Sequence, residues 1–481
     1  MVHSGLRARL APVLAALLAA GCASFDGLAP KAVRADAAAL AASRSLAGAR
    51  LSPAAWPSAA WWQRFGDPQL DALIAEGLAG NPGMRSARAR IDRAIALAAS
   101  SGAALSPQAS AGADVTRQHV SANGIFPPPL ADSWYTQTQL AASFGYELDL
   151  WGRNRAAYDA ALGQVKAAEV DAYAVRLLLA SSVARAYAQL GRSFEQLDLA
   201  HSTLVQRQAV LDLVGQRVSA GLDSDVELKQ AEGSIPAARA RIAQLEEEIA
   251  LGRNLLAALV GKGPDRGFAI GRPHLQEQPI ALPSALPADL LGRRPDVVAQ
   301  RWRVESARHD IEAAKGQFYP NVNLSALVGV QGITFSKLLT RGSEIPTFGP
   351  ALRLPLFDGG RLRGNLAARD ADYDLALEQY NQTLIEAMRE VVDQLASLRS
   401  ADAQRVQIER ALATARQAHE LALVRYRAGV GNYLQVLATE TPLLEQQNLQ
   451  AGLRAQELGL SVNLIRALGG GFEDASAAGA S

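Results

Sequence analysis

One cysteine, three methionines and six scattered histidines in 481 residues leave little material for redox or metal chemistry. A lone thiol, Cys22, permits no intrachain disulfide and no thiolate-built metal centre. The histidines, His3, His119, His201, His274, His309 and His419, form no H-E-x-x-H pair. There is no G-x-S-x-G elbow, and GKGPDRG at 261–267 lacks the glycine spacing and the hydroxyl of a phosphate-binding loop, so it reads as a turn closing a helix. Neither an enzyme nor a cofactor is expected. An excess of one charge is also missing: 48 Lys and Arg face 47 Asp and Glu, for a net charge of +1. That balance gives no electrostatic reason to expect nucleic acid, and the run Glu246-Glu247-Glu248 reads as a solvated helix face. The apolar run Leu10 to Ala20 is about 11 residues, too short for a helix to cross a bilayer core of about 30 Å.

What is present begins at that run. Arg7 and Arg9 precede it, and it ends in Leu18-Ala19-Ala20-Gly21-Cys22, small residues before a cysteine as cleavage of a secretory signal requires. LAAGC resembles a bacterial lipobox, with Ala19 where leucine is usual. The resemblance implies a signal peptide over 1–21 and lipid attachment at Cys22. The following residue is Ala23 rather than the aspartate that retains such lipoproteins at the inner membrane, which implies export to the outer membrane. Acyl chains contribute roughly 0.8 kcal/mol per buried CH₂, so several on one cysteine anchor a chain with no transmembrane helix.

The chain is also written twice. NPGMRSARARIDRAIALAASSGAALSPQASAGADV (81–115) parallels RPDVVAQRWRVESARHDIEAAKGQFYPNVNLSALVGV (294–330), FGYELDLWGRNRAA (144–157) parallels FGPALRLPLFDGGRLRGNLAA (348–368), and QRVSAGLDSDVEL (216–228) parallels VRYRAGVGNYLQV (424–436). Three matches in one order at similar offsets predict an internal structural repeat. Proline is absent between Trp151 and Pro236 and between Pro355 and Pro442, and both intervals place apolar residues at helical spacing. Helices over about 153–220 and 361–428 would each run about 100 Å at 1.5 Å per residue. Such length calls for a coiled coil or helical array, since frequent Arg, Gln and Glu exclude a membrane span. Gly221 and Gly429 stand where a left-handed C′ glycine ends a helix. Arg217, Arg425 and Arg427 fall in the last turns, and Asp223, Ser224 and Asp225 are candidates to cap the first returning helix. Two antiparallel helical hairpins follow.

Each repeat also carries two alternating segments, about 109–117 and 136–150, then 321–332 and 347–356. In the second of these Leu140, Phe144, Tyr146 and Leu148 share one face, while Gln139, Ser143, Glu147 and Asp149 share the other. Alternation over about 9–11 residues is what a bilayer-spanning barrel needs, with apolar residues toward lipid and polar ones toward a lumen. Four strands cannot close a barrel alone, so closure requires oligomerisation.

WWQRFGDPQLDALIAEGLAGNP (61–82), FGYELDLWGRNRAA, LLGRRPDVVAQRWRVESARHDIEAAKGQFYPNVNLSALVG (290–329), LPLFDGGRLRG (354–364) and RYRAGVGNYLQVL (425–437) together resemble the TolC-like outer-membrane factors of tripartite efflux systems, in the NodT-type lipoprotein branch. The resemblance spans roughly 60–470. It implies an α+β membrane protein: a homotrimer whose twelve-stranded outer-membrane β-barrel, four strands per chain, is continued by a long periplasmic α-helical barrel. The implied partners are a periplasmic adaptor protein, an inner-membrane transporter of the resistance-nodulation-division type and outer-membrane lipid. The implied role is an exit duct for small toxic compounds or drugs. The same fold would serve type I protein secretion, and a helical lipoprotein scaffold without a pore is a further alternative. The implied organisation is a lipid-anchored extension over 22–60, repeats over 61–280 and 281–470, and a flexible tail over 471–481. The family's Arg-x-x-x-Gly tips map to Arg217–Gly221 and Arg425–Gly429, implied adaptor contacts. Asp223, Asp225 and Tyr426 are the implied residues of a periplasmic gate. Where the family often carries Leu-Asp-Ala, this chain has Leu437-Ala438-Thr439, so the resemblance does not extend to that acidic ring.

Overall fold

The computed structural model describes residues 25, 27–36, 44, 51–52, 56–276, 282–283 and 292–474. Cys22, the signal segment and residues 475–481 lie outside these. Two compact units interleave along the chain. Of the described residues, the first gathers those within 1–34, 91–168 and 300–380, and the second those within 35–90, 169–299 and 381–481. The repeat boundary expected near residue 280 is therefore not a boundary between compact bodies, because strands from both repeats pair with one another.

In the first unit, strands β1 (Gln108–His119), β2 (Trp134–Leu148), β3 (Asn321–Gly332) and β4 (Thr347–Arg353) form one antiparallel sheet in the order β1-β2-β3-β4. Its register decides what each face is made of, since paired residues point to the same side. Ala113 pairs with Leu140 and Leu140 with Val330; Phe144 pairs with Ala326 and Ala326 with Phe348; Tyr146 pairs with Leu324 and Leu148 with Val322. On the other face Asp114 meets Gln139, Gln139 meets Gln331, Ser110 meets Ser143, and Glu147 meets Asn323. One face is thus apolar from Val115 and Leu140 to Val322 and Leu352, with Arg117, His119, Thr136 and Thr138 at its far end, and the other is mostly polar, with Tyr135, Leu327 and a few alanines as its exceptions. At Gly329 a Cβ would collide with the Leu140 carbonyl and Ala141 across the strand gap, so no larger residue fits there. Among the described residues neither outer edge, β1 or β4, pairs with another strand.

β2 stops at Leu148 and β4 at Arg353, short of the expected 150 and 356. The cause is the corner into the next helix. The Asp149 carboxylate accepts the backbone N–H groups of Asn154 and Arg155, at 3.1 and 2.8 Å. Asp358 does the same for Gly360 and Leu362, at 3.0 and 2.9 Å. Both corners turn through glycines with positive φ, Gly152 and Gly360. Trp151 stacks on Tyr319 with centroids 4.8 Å apart and donates its indole N–H to the Pro320 carbonyl at 2.8 Å. The N-terminal stretch is clasped nearby. Asp374 accepts the N–H groups of Lys31 and Ala32, both at 2.8 Å, and Arg34 donates to the Tyr380 hydroxyl at 3.0 Å while standing over its ring. Phe25 and Leu28 pack with Ile311, Phe318, Leu362 and Leu366.

The helices are α1 (Pro68–Gly80), α2 (Pro82–Gly102), α3 (Arg153–Ser219), α4 (Asp225–Leu259), α5 (Pro295–Gly316), α6 (Arg361–Arg427) and α7 (Tyr433–Ala467). The long helices α3 and α6 are 67 residues each and the returning helices α4 and α7 are 35 each. An offset of 208 residues carries Arg153 onto Arg361 and Asp225 onto Tyr433. Pro236 and Pro442, which end the proline-free intervals, lie inside α4 and α7 rather than at their ends.

The largest core lies in the second unit. Trp61, Trp62, Phe65, Leu70, Leu73 and Ile74 pack against Val183, Tyr187 and Leu190 of α3, Ile249 and Leu256 of α4, and Val462 and Ile465 of α7. Asp67 organises this junction by accepting from Gln69 N–H as the cap of α1, from the Tyr187 hydroxyl at 2.8 Å and from His274 N–H at 2.7 Å. Burial first, and the bond to Asp67 second, push the Tyr187 phenol far above its usual range, so it stays a donor. Arg294 is buried before α5. It forks onto Asp296 at 3.0 and 2.5 Å, reaches Glu390 of α6 at 3.0 Å, and donates to the last carbonyl of α7, Ala467, at 3.1 Å.

Beyond α7, residues 471–474 at the start of the expected tail are held against the body. Gly469, Gly470 and Gly471 all have positive φ, which only glycine adopts without strain. They fold the chain back so that Phe472 meets Tyr173, Glu473 pairs with Arg293 at 2.8 Å, and Asp474 N–H reaches the Gly292 carbonyl. Gly470→Ala should lower the unfolding free energy by more than about 1 kcal/mol, the loss for a side chain forced into such backbone, because its Cβ would also overlap Leu177. Thermal melting of the purified protein checks this.

Candidate functional site

The two hairpin tips are built by one local code used twice. At the first, Gly221 (φ +72°) lets its N–H reach the Val218 carbonyl and Leu222 N–H reach the Arg217 carbonyl, both at 2.9 Å. At the second, Gly429 (φ +75°) and Val430 make the same pair of bonds to Tyr426 and Arg425, both at 3.1 Å. These are Schellman closures, in which the left-handed residue satisfies carbonyls the helix leaves open. The returning helices are capped at positions 208 residues apart, by Ser224 and Asn432. Ser224 and Glu227 form a reciprocal capping box, with Ser224 N–H donating to the Glu227 carboxylate at 2.9 Å. Ser224 is therefore the cap among the three candidates. Ser224→Ala should cost about 1 kcal/mol of local stability, read as faster amide exchange over the first turns of α4.

The side chains, unlike the backbones, differ between the tips. Arg217 forks onto Asp223, Nε to Oδ2 at 2.8 Å and Nη2 to Oδ1 at 3.2 Å. Its third nitrogen donates to the Tyr426 carbonyl of the other hairpin at 3.1 Å, and its guanidinium lies 4.6 Å from the Tyr426 ring centre. The Tyr426 hydroxyl donates back to Asp223 Oδ2 at 2.5 Å. The ion-pair side chains are only 11% and 8% exposed, and Tyr426 is fully buried among Val214, Ala231, Tyr433 and Val436. The Arg217 bond, followed by that of Tyr426, holds the Asp223 carboxyl below the usual carboxylate range. Burial and then Asp223 push the Tyr426 phenol far upward. Two hairpins are thus tied by a charged fork, a phenol and a stacked cation in one knot.

The structure brings Arg217, Asp223 and Tyr426 together and leaves the other expected residues apart. Asp225 is exposed in the first turn of α4, where its charge suits the helix dipole. Arg425 is exposed and, among the described residues, unpaired, because the place of Asp223 in the second tip is taken by Gly431. Gln139, Ser143 and Glu147 share the polar face of the sheet, and Glu147 pairs with Arg153 at 2.7 Å. Asp149 lies beyond the strand with both oxygens engaged by backbone N–H groups, so it is a helix cap and not part of that face. The sequence reading missed a second buried ion pair, Arg207 with Glu440. Its signal was a charged residue at each end of the helical spacing 207-210-214-217.

Comparison with known proteins places this geometry. The profile described as Outer membrane efflux protein matches residues 73–262 and again 286–470. The fusaric acid resistance protein FusA of Burkholderia cepacia is 44% identical over 368 residues, 75% of this chain and 69% of that protein. The multidrug resistance outer membrane protein MdtP of Escherichia coli K12 is 33% identical over 432 residues, 88% of each. The crystal structure of the outer membrane protein VceC of Vibrio cholerae superposes with a TM-score of 0.81 at 38% identity, covering 87% of this chain and all of that one. The fold class is that of the trimeric outer-membrane factors, a β-barrel with four strands from each chain continued by a long helical barrel. With the profile matched twice, once per repeat, and relatives aligned over most of their length, the chain belongs to the outer membrane efflux protein family.

Proposed function

We propose that this chain is the exit duct of a tripartite efflux system, passing small toxic compounds or drugs from a resistance-nodulation-division pump and its periplasmic adaptor to the exterior. As a member of its family it is an outer-membrane channel and not an enzyme. The observation that carries the reading is the sheet register, which gathers the large apolar side chains, Tyr135 and Leu327 excepted, on one face and Gln139, Ser143 and Glu147 on the other. The apolar face meets lipid and the polar face lines a water-filled lumen. Trp151 and Tyr319, stacked beneath the strands, sit at the membrane interface. Relatives named for resistance to fusaric acid, for multidrug resistance and for toluene efflux support the class of cargo.

The hairpin tips carrying Arg217–Gly221 and Arg425–Gly429 form the periplasmic entrance and meet the adaptor, with Arg425 free to do so. The knot of Arg217, Asp223 and Tyr426 is the latch that keeps the entrance shut. Cys22 carries the lipid that holds the chain at the outer membrane. Deleting the chain from its host should increase susceptibility to a panel of toxic compounds. Complementation by a Cys22→Ala form tests the anchor: loss of outer-membrane fractionation is expected, and an unchanged distribution with full resistance would show that the lipid is dispensable. A deletion strain with wild-type susceptibility to the whole panel would count against the efflux role.

A further inference from the structure

Arg207 and Arg217 lie on one seam of α3, since 207, 210, 214 and 217 follow the three-and-four spacing that keeps a helix stripe facing its partners. Between them Val210 and Val214 pack into the apolar cluster of Tyr426, Tyr433 and Val436. Arg207 closes that cluster on its far side. Its Nε and Nη2 fork onto Glu440 of α7 at 3.0 and 3.1 Å, and Nη1 donates to the Ser234 carbonyl of α4 at 3.2 Å. The pair is largely buried, with Glu440 about nine-tenths covered.

The partners of Arg207 sit beside the two helix-interior prolines. Ser234 is two residues before Pro236 in α4, and Glu440 is two residues before Pro442 in α7. Each proline removes one helical N–H and pushes its ring against the turn before it, so both returning helices are weakened near one level. Directly beyond Arg207 the seam is underfilled. A half-open pocket of about 200 Å³ lies between Thr203, Ala238 and Leu444, and Gln196 Oε1 on its wall is buried without a hydrogen-bond partner. Dense packing resists rearrangement more than an open pocket beside a broken helical ladder does. A buried ion pair in an apolar seam adds little net stability over an apolar pair, yet it strongly favours the one alignment in which both charges are met.

We propose that Arg207 and Glu440 are gate-positioning residues, a second latch between the two hairpins, and that the turns at Pro236 and Pro442 are the hinge about which the tips move. This rests on the reading of the tips as a gated entrance. Releasing the Arg217 knot frees the ends of the hairpins, while the Arg207 fork still ties the proline turns together. Loss of either latch raises the open population, and opening is widest when both part.

The test uses the full-length trimer in planar bilayers, with spin labels on Ser219→Cys near the tip or Ser202→Cys beyond the hinge. Glu440→Gln should raise mean conductance about tenfold, the shift expected when a state separated by a lost charge contact becomes populated. The exchange Arg207→Glu with Glu440→Arg should return it toward the wild-type value, which assigns the change to the ion pair itself. Inter-subunit distances should broaden at 219 and stay narrow at 202. Pro236→Ala with Pro442→Ala should suppress the broadening. If Asp223→Ala leaves conductance unchanged while Glu440→Gln broadens the 219 distances, the hinge stands and the entrance reading falls. Trimers of Glu440→Gln that melt like wild type and show unchanged distances at both labels overturn the inference.

Discussion

Arg294→Ala is expected to lower the unfolding free energy by about 1.5–3 kcal/mol, the scale of lost hydrogen bonds to charged groups, since Asp296 and Glu390 both keep some access to water. The guanidinium is 6% exposed, yet it meets two carboxylates and a helix-terminal carbonyl. Removing it leaves Glu390 with only its longer contact to Arg466, at 3.6 Å, and leaves the Ala467 carbonyl without its side-chain donor. Arg294 also links three elements that are distant in sequence: the start of α5, the middle of α6 and the end of α7. Arg294→Lys should lose less than alanine but still be unstable, since an ammonium keeps the charge and cannot reproduce the planar fork. Denaturant unfolding of the purified protein measures both. A loss below about 1 kcal/mol for the alanine variant, the scale of an exposed pair, would refute the assignment.

The second large effect is on conduction. Asp223→Ala leaves the Arg217 guanidinium buried and facing Tyr426 with no carboxylate, and single-channel conductance should rise about tenfold or more as the tips part. Asp223→Asn should be milder, because an amide oxygen still accepts from the Tyr426 hydroxyl. Tyr426→Phe should be mildest, losing one bond while keeping the ring beneath the guanidinium. Acid should act on the same group. Because the folded-state pKa of Asp223 is depressed, its stabilisation is fully present above the unfolded value of about 4 and is lost only as pH falls through the lower folded value. Conductance should therefore stay flat on mild acidification and climb below about pH 4. A channel that opens between pH 7 and 5 would require another titrating group, and an Asp223→Ala channel with wild-type conductance would remove the latch.

Much of this architecture was legible in the residues because it follows from local rules. The proline-free intervals and glycine stops gave both long helices to within a residue of Arg153–Ser219 and Arg361–Arg427. Strict alternation gave the two faces of β2, and the register then extended them across the sheet. What local rules could not settle was which polar side chain answers which. Asp223, Ser224 and Asp225 are adjacent and all are good caps. The extended backbone at Ser224 selects it, which leaves Asp223 to be claimed by Arg217. Asp149 follows the alternation of its strand, but the chain turns there and its carboxylate serves the next helix. The bond from Tyr426 to Asp223 spans 203 positions and exists only because two hairpins lie side by side.

The equal lengths of the paired helices limit how such a chain can change over generations. One residue inserted into α3 alone would rotate every later seam position by about 100° and lift its tip about 1.5 Å relative to its counterpart. The Arg207 fork and the bond from Arg217 to the Tyr426 carbonyl would then miss partners fixed on α7 and α6. A tolerated lengthening has to add whole seven-residue blocks, about 10 Å each, to all four helices together. Gains and losses of residues should accordingly gather in the strand-to-strand loops and at the chain ends, and a member of different reach would have to arise by matched duplications rather than by single-residue drift.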